Sequence, residues 1–313
     1  LEELDDRGER VRRGDGCAPV ARETVRIRVR GGGEELLELR STDRGPLLPA
    51  DPALGLPPRS LAWTAYEGGD PLAALAALAR VEGVAEVPAA IAPFVAPAQN
   101  LLVADRDGGL LQTVLGRLPA RRAGDGRFPA PGWDAAFGWD GLRPAADAPR
   151  RLLGRDGRLV TANDDSWSAE LPVDFQADFD SPHRARRIAE LLGAEERWSP
   201  DGLAAVQTDV RSLWARELVA ALGGPFAGEA ERARSTLAAW DGGMEERGAA
   251  ALFLLAEREL RARLFGDEAR AHGLPPFASR DRLLALLSGA LDPAFFDDVG
   301  TPAVEGRDEV VAA

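Results

Sequence analysis

Apolar and polar residues alternate in the first part of the chain, where Val25, Ile27 and Val29 are separated by arginines. Three glycines follow, and the alternation resumes at Leu37 and Leu39. Because successive side chains of a strand point to opposite faces, this alternation predicts strands that bury one face and leave the other in water. The glycines between the two runs predict the turn of a β-hairpin.

The middle of the chain contains further patterns. Two short apolar runs, 101–104 and 110–115, flank the sequence Asp-Arg-Asp-Gly-Gly and predict a second hairpin. Leucines three residues apart follow an aspartate and a proline, and they predict a helix over 70–81. Residues 116–151 are rich in glycine and proline and lack periodicity, which predicts a long loop. A strand is predicted after this loop, at 158–161.

The pattern changes at Ser181, after which apolar residues recur every three or four positions, as on one face of a helix. The groups that predict helices are Ile188, Leu191 and Leu192; Val210, Leu213, Leu218 and Leu222; Leu252, Leu255, Leu260 and Leu264; and Leu283, Leu286 and Leu287. We therefore predict an α/β portion over 1–180 and a mainly helical portion over 181–313.

Charge and composition exclude several classes of protein. The 313 residues include no lysine and carry a formal net charge of −13, so no basic surface is expected for a nucleic-acid partner. Cys17 is the only cysteine, which excludes an internal disulfide and a thiolate metal cluster within these residues. No apolar run approaches the roughly 20 residues of a membrane span, so no membrane partner is expected.

Side chains suited to catalysis are scarce, which makes their positions informative. Asn100 and Asn163 are the only asparagines, and His183 and His272 are the only histidines. Neither histidine lies near a Gly-x-Ser-x-Gly turn, so a conventional Ser-His-Asp triad is not predicted. His183 follows the pair Ser181-Pro182, which is typical of a helix start, and it is predicted to lie at the surface or at a cap.

Aspartates occur in three clusters, none of which has the spacing of a twelve-residue calcium loop. The clusters are Asp105 with Asp107, Asp164 with Asp165, and Asp174 with Asp178 and Asp180. Each is typical of turns and solvated faces. A calcium site assembled from distant segments stays open, because oxygen ligands need no local motif.

Four successive segments of the chain are dense in motifs, namely APAQNLLVADRDGG, GRLPARRAGDGRFPAPGWDAAFGWDGLRP, GRLVTANDDSW and SPHRARRIAELL. In order, spacing and composition, these segments resemble the β-subunit of the penicillin acylase family of N-terminal nucleophile hydrolases. The likeness extends over about residues 1–220. It implies the α+β class, with this chain forming part of a four-layer αββα N-terminal nucleophile hydrolase fold followed by a helical region.

The resemblance implies hydrolysis of a linear amide in an N-acylated small-molecule substrate through an acyl-enzyme. In the family the nucleophile is a serine that becomes the first residue of the β-chain by autoproteolysis of a zymogen, and its own α-amine acts as the base. No serine here is suitably placed, so that serine is expected upstream of Leu1. The chain does not begin with Met, and we interpret it as a fragment at both ends, inactive alone.

The family also implies partners and a location. The expected partner is the α-subunit of the same precursor, no organic cofactor is expected, and the expected location is periplasmic or secreted. Members act on β-lactam side chains, in the context of antibiotic biosynthesis, on acyl-homoserine lactones or on acylated lipopeptides. The segments quoted above do not decide among these substrates.

Five residues match functional positions of the family. Asn163 matches the side-chain amide of the oxyanion hole, and Arg184 matches the arginine that helps to hold the nucleophile and its amine. Gln99 falls at a wall of the acyl pocket where several members have an aliphatic or aromatic residue, which implies an acyl group longer or more polar than phenylacetyl. Asp174 and Gly126 match a carboxylate and a backbone carbonyl ligand of one structural calcium ion.

Alternatives stay open at two levels. The sequence around Arg184 is also that of an ordinary arginine on a helix surface. The whole protein is alternatively a non-catalytic, acylase-like binding or structural protein, and the presence of a serine at an upstream cleavage point distinguishes the two. Asn100 is predicted to be structural, holding the hairpin beside the pocket.

Overall fold

The structure is a computed structural model that describes residues 1–50, 55–167, 179–224, 226–271, 273–275, 278–291, 296–297 and 306–312. The chain divides into two compact units. The first consists of Leu1–Leu159 and continues at Trp167, and the second consists of Val160–Ser166 together with the chain from Phe179 onward. Asn163 therefore belongs with the helices of the second unit, although it precedes the boundary predicted at residue 180.

The first unit contains eleven strands, two short α-helices and two 3-10 helices (Thr64–Glu67 and Ala145–Asp147) among its described residues. The strands are β1 (Arg10–Arg13), β2 (Gly16–Pro19), β3 (Ala21–Arg28), β4 (Glu34–Thr42), β5 (Gly45–Leu48), β6 (Arg59–Ser60), β7 (Gln99–Ala104), β8 (Leu110–Leu115), β9 (Pro119–Arg121), β10 (Trp139–Leu142) and β11 (Arg150–Leu153). The helices are α1 (Pro71–Leu78) and α2 (Val87–Ala90). Every strand pair is antiparallel, in sheets ordered β1-β2, β3-β4-β5-β6, β11-β8-β7 and β10-β9.

Both predicted hairpins are confirmed. In the first, Val25 of β3 lies opposite Leu37 of β4, so the apolar residues of the two strands share one face. That face is not covered by the described residues, since Ile27 is 42% exposed and Leu37 is 47% exposed. The expectation that one face of this hairpin is buried is therefore wrong for the described part of the chain. The second hairpin, β7 with β8, forms as predicted.

The core of the first unit lies between strand β8 and the two short helices. Leu111 and Leu115 of β8 pack with Ala74 of α1 and Val87 of α2. The helix α1 begins where predicted, because the Asp70 carboxylate accepts the backbone N–H of Ala73 at 2.8 Å and caps the first turn. The helix ends at Leu78, three residues before the predicted end at 81.

Two predictions for the segment after this core are wrong. The stretch 116–151 is not without regular structure, because it contains β9, β10 and the start of β11. These strands are three or four residues long and pair with distant partners, so no periodicity marks them in the sequence. The strand predicted at 158–161 does not form, and no described strand pairs with these residues.

Asn100 of β7 accepts a hydrogen bond from the indole N–H of Trp167 at 3.1 Å, within the first unit. The Trp167 ring is buried, and the Arg151 guanidinium lies 5.6 Å from its centre. The electron-rich face of an aromatic ring attracts a cation at this distance. Asn100 thus makes a structural contact, as its prediction describes.

The second unit is helical, as the periodicity predicts. Its described helices are α3 (His183–Gly193), α4 (Pro200–Gln207), α5 (Leu213–Ala221), α6 (Gly228–Ala239), α7 (Arg247–Ala271), α8 (Arg280–Leu287) and α9 (Arg307–Ala312). A buried cluster joins α5 to α8, centred on Trp214, Leu218, Phe253, Leu264 and Leu283. Among the described residues, no helix is both long enough and apolar enough to cross a bilayer.

Candidate active site

Asn163 lies in a loop whose backbone is fixed on both sides. Asp164 turns the loop by accepting the Ala162 N–H at 2.8 Å, and the Asn163 carbonyl accepts the Asp180 N–H at 2.7 Å. Asn163 itself has a φ of 66°, and it is the one non-glycine residue with positive φ in the described part of the chain. Asparagine tolerates this left-handed conformation better than most residues, yet such outliers concentrate at functional sites.

Arg184, in the first turn of α3, reaches back to this loop. Its Nη2 atom donates to the carbonyl oxygen of Ala162 at 2.5 Å, to Oδ1 of Asn163 at 2.8 Å and to Oδ2 of Asp180 at 2.8 Å. Two residues that are 21 positions apart in the sequence are thus in direct contact. Arg184 thus has partners outside its own helix, whereas an ordinary arginine on a helix surface needs none.

The arginine determines which way the Asn163 amide faces. A guanidinium only donates hydrogen bonds, so its partner on Asn163 must be the carbonyl oxygen and not the NH2 group. The Nδ2 atom therefore points away from Arg184, and no acceptor for it occurs among the described residues. The loop presents an uncharged, oriented N–H donor at its surface, since Asn163 is exposed.

The charge of Arg184 is balanced locally. Burial raises the pKa of Asp180, but the hydrogen bonds from Arg184 and from the Ser181 backbone N–H outweigh it and hold the pKa below its ordinary value. Asp180 is therefore ionised at neutral pH and neutralises the guanidinium that it contacts at 2.8 Å. The donor on Asn163 is thus held without a net positive charge in the loop.

A buried polar cluster next to Arg184 was not predicted. His183 is 4% exposed, and the prediction that it lies at the surface or at a cap is wrong. The hydroxyl of Ser181 contacts Nδ1 of His183, so Ser181 does not cap the helix, and Pro182 occupies the N-cap position without a side-chain hydrogen bond. The partner on the other ring nitrogen, Glu217, is 34 residues away, a separation that no local pattern reveals.

The remaining predicted site residues lie elsewhere. Gln99 is the first residue of β7 in the first unit, and it is exposed. Gly126 belongs to the same unit and has a φ of 83°. The carboxylate next to it, Asp125, is already paired with Arg127 at 2.5 Å. Asp174 lies outside the described residues, among which no group of three metal-binding side chains occurs.

Solved structures establish the fold class. The structure is similar to thermostable penicillin G acylase from Alcaligenes faecalis in its orthorhombic form, with a TM-score of 0.65 and 19% sequence identity, over 86% of this chain and 52% of that chain. At this identity the likeness concerns the fold alone. It confirms the predicted α+β class and the N-terminal nucleophile hydrolase fold.

Curated relatives give more specific similarity. The chain is 31% identical over 290 residues to the penicillin acylase 2 proenzyme of Pseudomonas sp. (strain SE83), covering 89% of this chain and 37% of that protein. It is 30% identical over 302 residues to the acyl-homoserine lactone acylase QuiP of Pseudomonas putida, covering 87% of this chain and 36% of that protein. The chain thus spans little more than a third of the length of these relatives.

The sequence model of the penicillin amidase family matches residues 1–313. The chain belongs to the penicillin amidase family. The predicted family is confirmed, and with it a relationship to enzymes that are named for the removal of acyl groups.

Proposed function

We propose that the protein containing this chain hydrolyses a linear amide in an N-acylated small molecule through an acyl-enzyme, with Asn163 donating a hydrogen bond to the oxyanion. The observation that carries the proposal is the 2.8 Å contact between Arg184 Nη2 and Asn163 Oδ1, which leaves the amide NH2 group turned outward. The alternative, an acylase-like binding or structural protein, does not require the amide NH2 group to be turned outward.

The chemistry requires a nucleophile, a base and a place for negative charge. The proposed nucleophile is a serine upstream of Leu1 that autoproteolysis of a zymogen leaves at the start of its chain. Its α-amine has an ordinary pKa of about 8, so a fraction is free at neutral pH to accept the hydroxyl proton. The serine oxygen bonds to the carbonyl carbon of the substrate amide. The amine portion of the substrate gains the proton from the α-amine and leaves, and water then hydrolyses the acyl-enzyme to release the acid.

Asn163 would act when the substrate carbonyl oxygen becomes negatively charged. A preoriented donor aimed at that oxygen is worth roughly 3 kcal/mol, because it stabilises the transition state more than the ground state. An amide donates at every pH, and Arg184 and Asp180 restrict its rotation through the contacts described above. Arg184 is therefore assigned the role of orienting the donor.

The acyl group is proposed to contact Gln99. The relatives named above act on penicillins or on acyl-homoserine lactones, and both classes carry an N-acyl chain. An exposed glutamine at the start of β7 offers a hydrogen-bonding wall in place of an apolar one. We therefore favour an acyl group that is longer or more polar than phenylacetyl.

Three further properties rest on the family resemblance. They are association with the α-subunit of the same precursor, export to the periplasm or the medium, and one structural calcium ion held by Asp174 and the Gly126 carbonyl. Around Gly126 the nearby Asp125 carboxylate is engaged by Arg127, so the charge for a calcium ion would have to come from other segments. The ion would hold loops together and supplies no step of the reaction.

The experiment that tests the proposal detects the acyl-enzyme directly. The full-length protein is incubated with the p-nitroanilides of phenylacetic and octanoic acid, quenched in acid and measured by intact mass. We expect one chain, beginning with serine, to gain the mass of an acyl group, with release of p-nitroaniline. A protein that is processed but neither gains this mass nor releases p-nitroaniline from either compound would support the non-catalytic alternative.

A further inference from the structure

The buried cluster at the start of α3 consists of Ser181, His183 and Glu217. Ser181 is 5% exposed and His183 is 4% exposed, so both side chains are removed from water. The Ser181 hydroxyl lies 2.5 Å from Nδ1 of His183, and Nε2 of His183 lies 2.8 Å from Oε2 of Glu217. Buried polar groups are costly unless they are paired, and here both ring nitrogens have partners.

The Glu217 carboxylate sets the direction of its hydrogen bond with His183. Burial raises the pKa of Glu217, but the hydrogen bonds from Arg186 and His183 outweigh it and leave that pKa below its ordinary value. An ionised carboxylate only accepts, so Nε2 of His183 donates to it. The contact between Nδ1 and the Ser181 hydroxyl needs no further assignment, because a hydroxyl both donates and accepts.

The cluster lies where α3 lacks an ordinary N-terminal cap. Pro182 at the N-cap makes no side-chain hydrogen bond to the helix. The first turn is instead tied to helix α5, because Glu217 belongs to α5 and binds both His183 and Arg186. The Trp214 ring of α5 also packs edge-on against the His183 ring, with the centres 5.7 Å apart.

Arg184 is the next residue in the same turn. About half of its side chain is exposed, and the contacts to Ala162, Asn163 and Asp180 all pass through its single Nη2 atom. A small rotation of the first turn would displace that atom from all three acceptors. The position of the guanidinium therefore depends on the position of the backbone at Arg184. His183 holds that backbone through its hydrogen bond to Glu217 of α5.

We propose that His183 is a positioning residue, which joins Ser181 to Glu217 and thereby holds Arg184 in the orientation that aims the Asn163 amide. This inference rests on the proposed function. His183 and Ser181 are both buried, so His183 is not assigned a contact with the substrate and Ser181 is not assigned the role of nucleophile. The role predicts an effect on the rate of the chemical step rather than on substrate binding.

The test is a double-mutant cycle in the full-length protein with octanoyl p-nitroanilide. We expect His183→Gln to lower kcat about tenfold, the equivalent of one lost hydrogen bond, with KM changed less than about twofold. In an Arg184→Ala background, His183→Gln is expected to lower kcat by no more than about twofold further, because its effect passes through Arg184. His183→Phe, which removes both hydrogen bonds, is expected to lower kcat more than His183→Gln.

A matched control separates positioning from general loosening of α3. Arg187 lies on the same helix and pairs with Asp209 at 2.7 Å, away from the loop of Asn163. Arg187→Gln is expected to lower the melting temperature but to leave kcat within about twofold. Equal losses of kcat in Arg187→Gln and His183→Gln, or a full tenfold loss on the Arg184→Ala background, would overturn the positioning role. An Arg184→Ala protein with unchanged kcat would also overturn it, because Arg184 would then not orient the donor. A processed wild-type protein that releases no p-nitroaniline would instead contradict the proposed function itself.

Discussion

Replacing Asn163 by glycine is expected to lower kcat for amide hydrolysis by about 100-fold or more, with little change in stability. The loss follows from removing the only proposed side-chain donor to the oxyanion, which typically contributes ~10²–10³-fold. Glycine is the informative substitution because the φ of 66° suits it, so the backbone of the loop is retained.

Alanine at the same position distinguishes the effect of losing the side-chain amide from the effect of straining the backbone. Asn163→Ala also removes the donor but adds strain of about 1 kcal/mol, because a β-carbon is disfavoured at positive φ. The two variants should therefore differ in thermal stability while sharing the same loss of kcat. If Asn163→Gly keeps more than a tenth of the wild-type kcat, the amide is not the main donor to the oxyanion.

The second large effect concerns stability and the core of the helical unit. Phe253 of α7 is 2% exposed, and its ring packs against Trp240 with the centres 5.6 Å apart. Phe253→Ala is expected to cost about 3–5 kcal/mol, from lost burial and from the cavity left behind. This is a large share of the roughly 5–15 kcal/mol that stabilises a typical domain.

Hydrogen exchange measured by mass spectrometry can locate this loss. In Phe253→Ala, the amides of α7 and α5 that open together should exchange about 100- to 5000-fold faster than in the wild type, the equivalent of about 3–5 kcal/mol. The neighbouring Leu254→Ala is the control, since Leu254 is 56% exposed and its loss should change exchange little. Equal protection in the two variants would show that Phe253 does not support the core.

The secondary structure was predictable where short-range pattern decides it. Alternation identified the hairpins of β3–β4 and β7–β8, and the three- to four-residue period identified α3, α5, α7 and α8. The sequence failed where a structure depends on a distant partner. Strands β9 and β10 are too short to show a period, and 158–161 does not form a strand because no described strand pairs with it.

Some residues of the candidate site could be predicted from the sequence and others could not, for a related reason. The family motif pointed to Asn163 and Arg184, and the structure adds that they touch and that the arginine sets the direction of the amide. The neighbours of His183 are typical of a helix start and predict a position at the surface or at a cap, whereas its burial depends on Glu217 and Trp214 of another helix. Burial of a polar side chain is decided by packing, which local sequence does not contain.

The central claim is that the N–H of Asn163, and not the shape of the loop, stabilises the oxyanion. Asn163→Asp tests it most directly, because aspartate has the same size and still accepts from Arg184, but when ionised it donates nothing. The measurement is the single-turnover rate of acyl-enzyme formation with octanoyl p-nitroanilide, on protein whose processing has been verified by intact mass. We predict a rate at least about 100-fold below that of the wild type. A rate within tenfold of the wild type would contradict the claim.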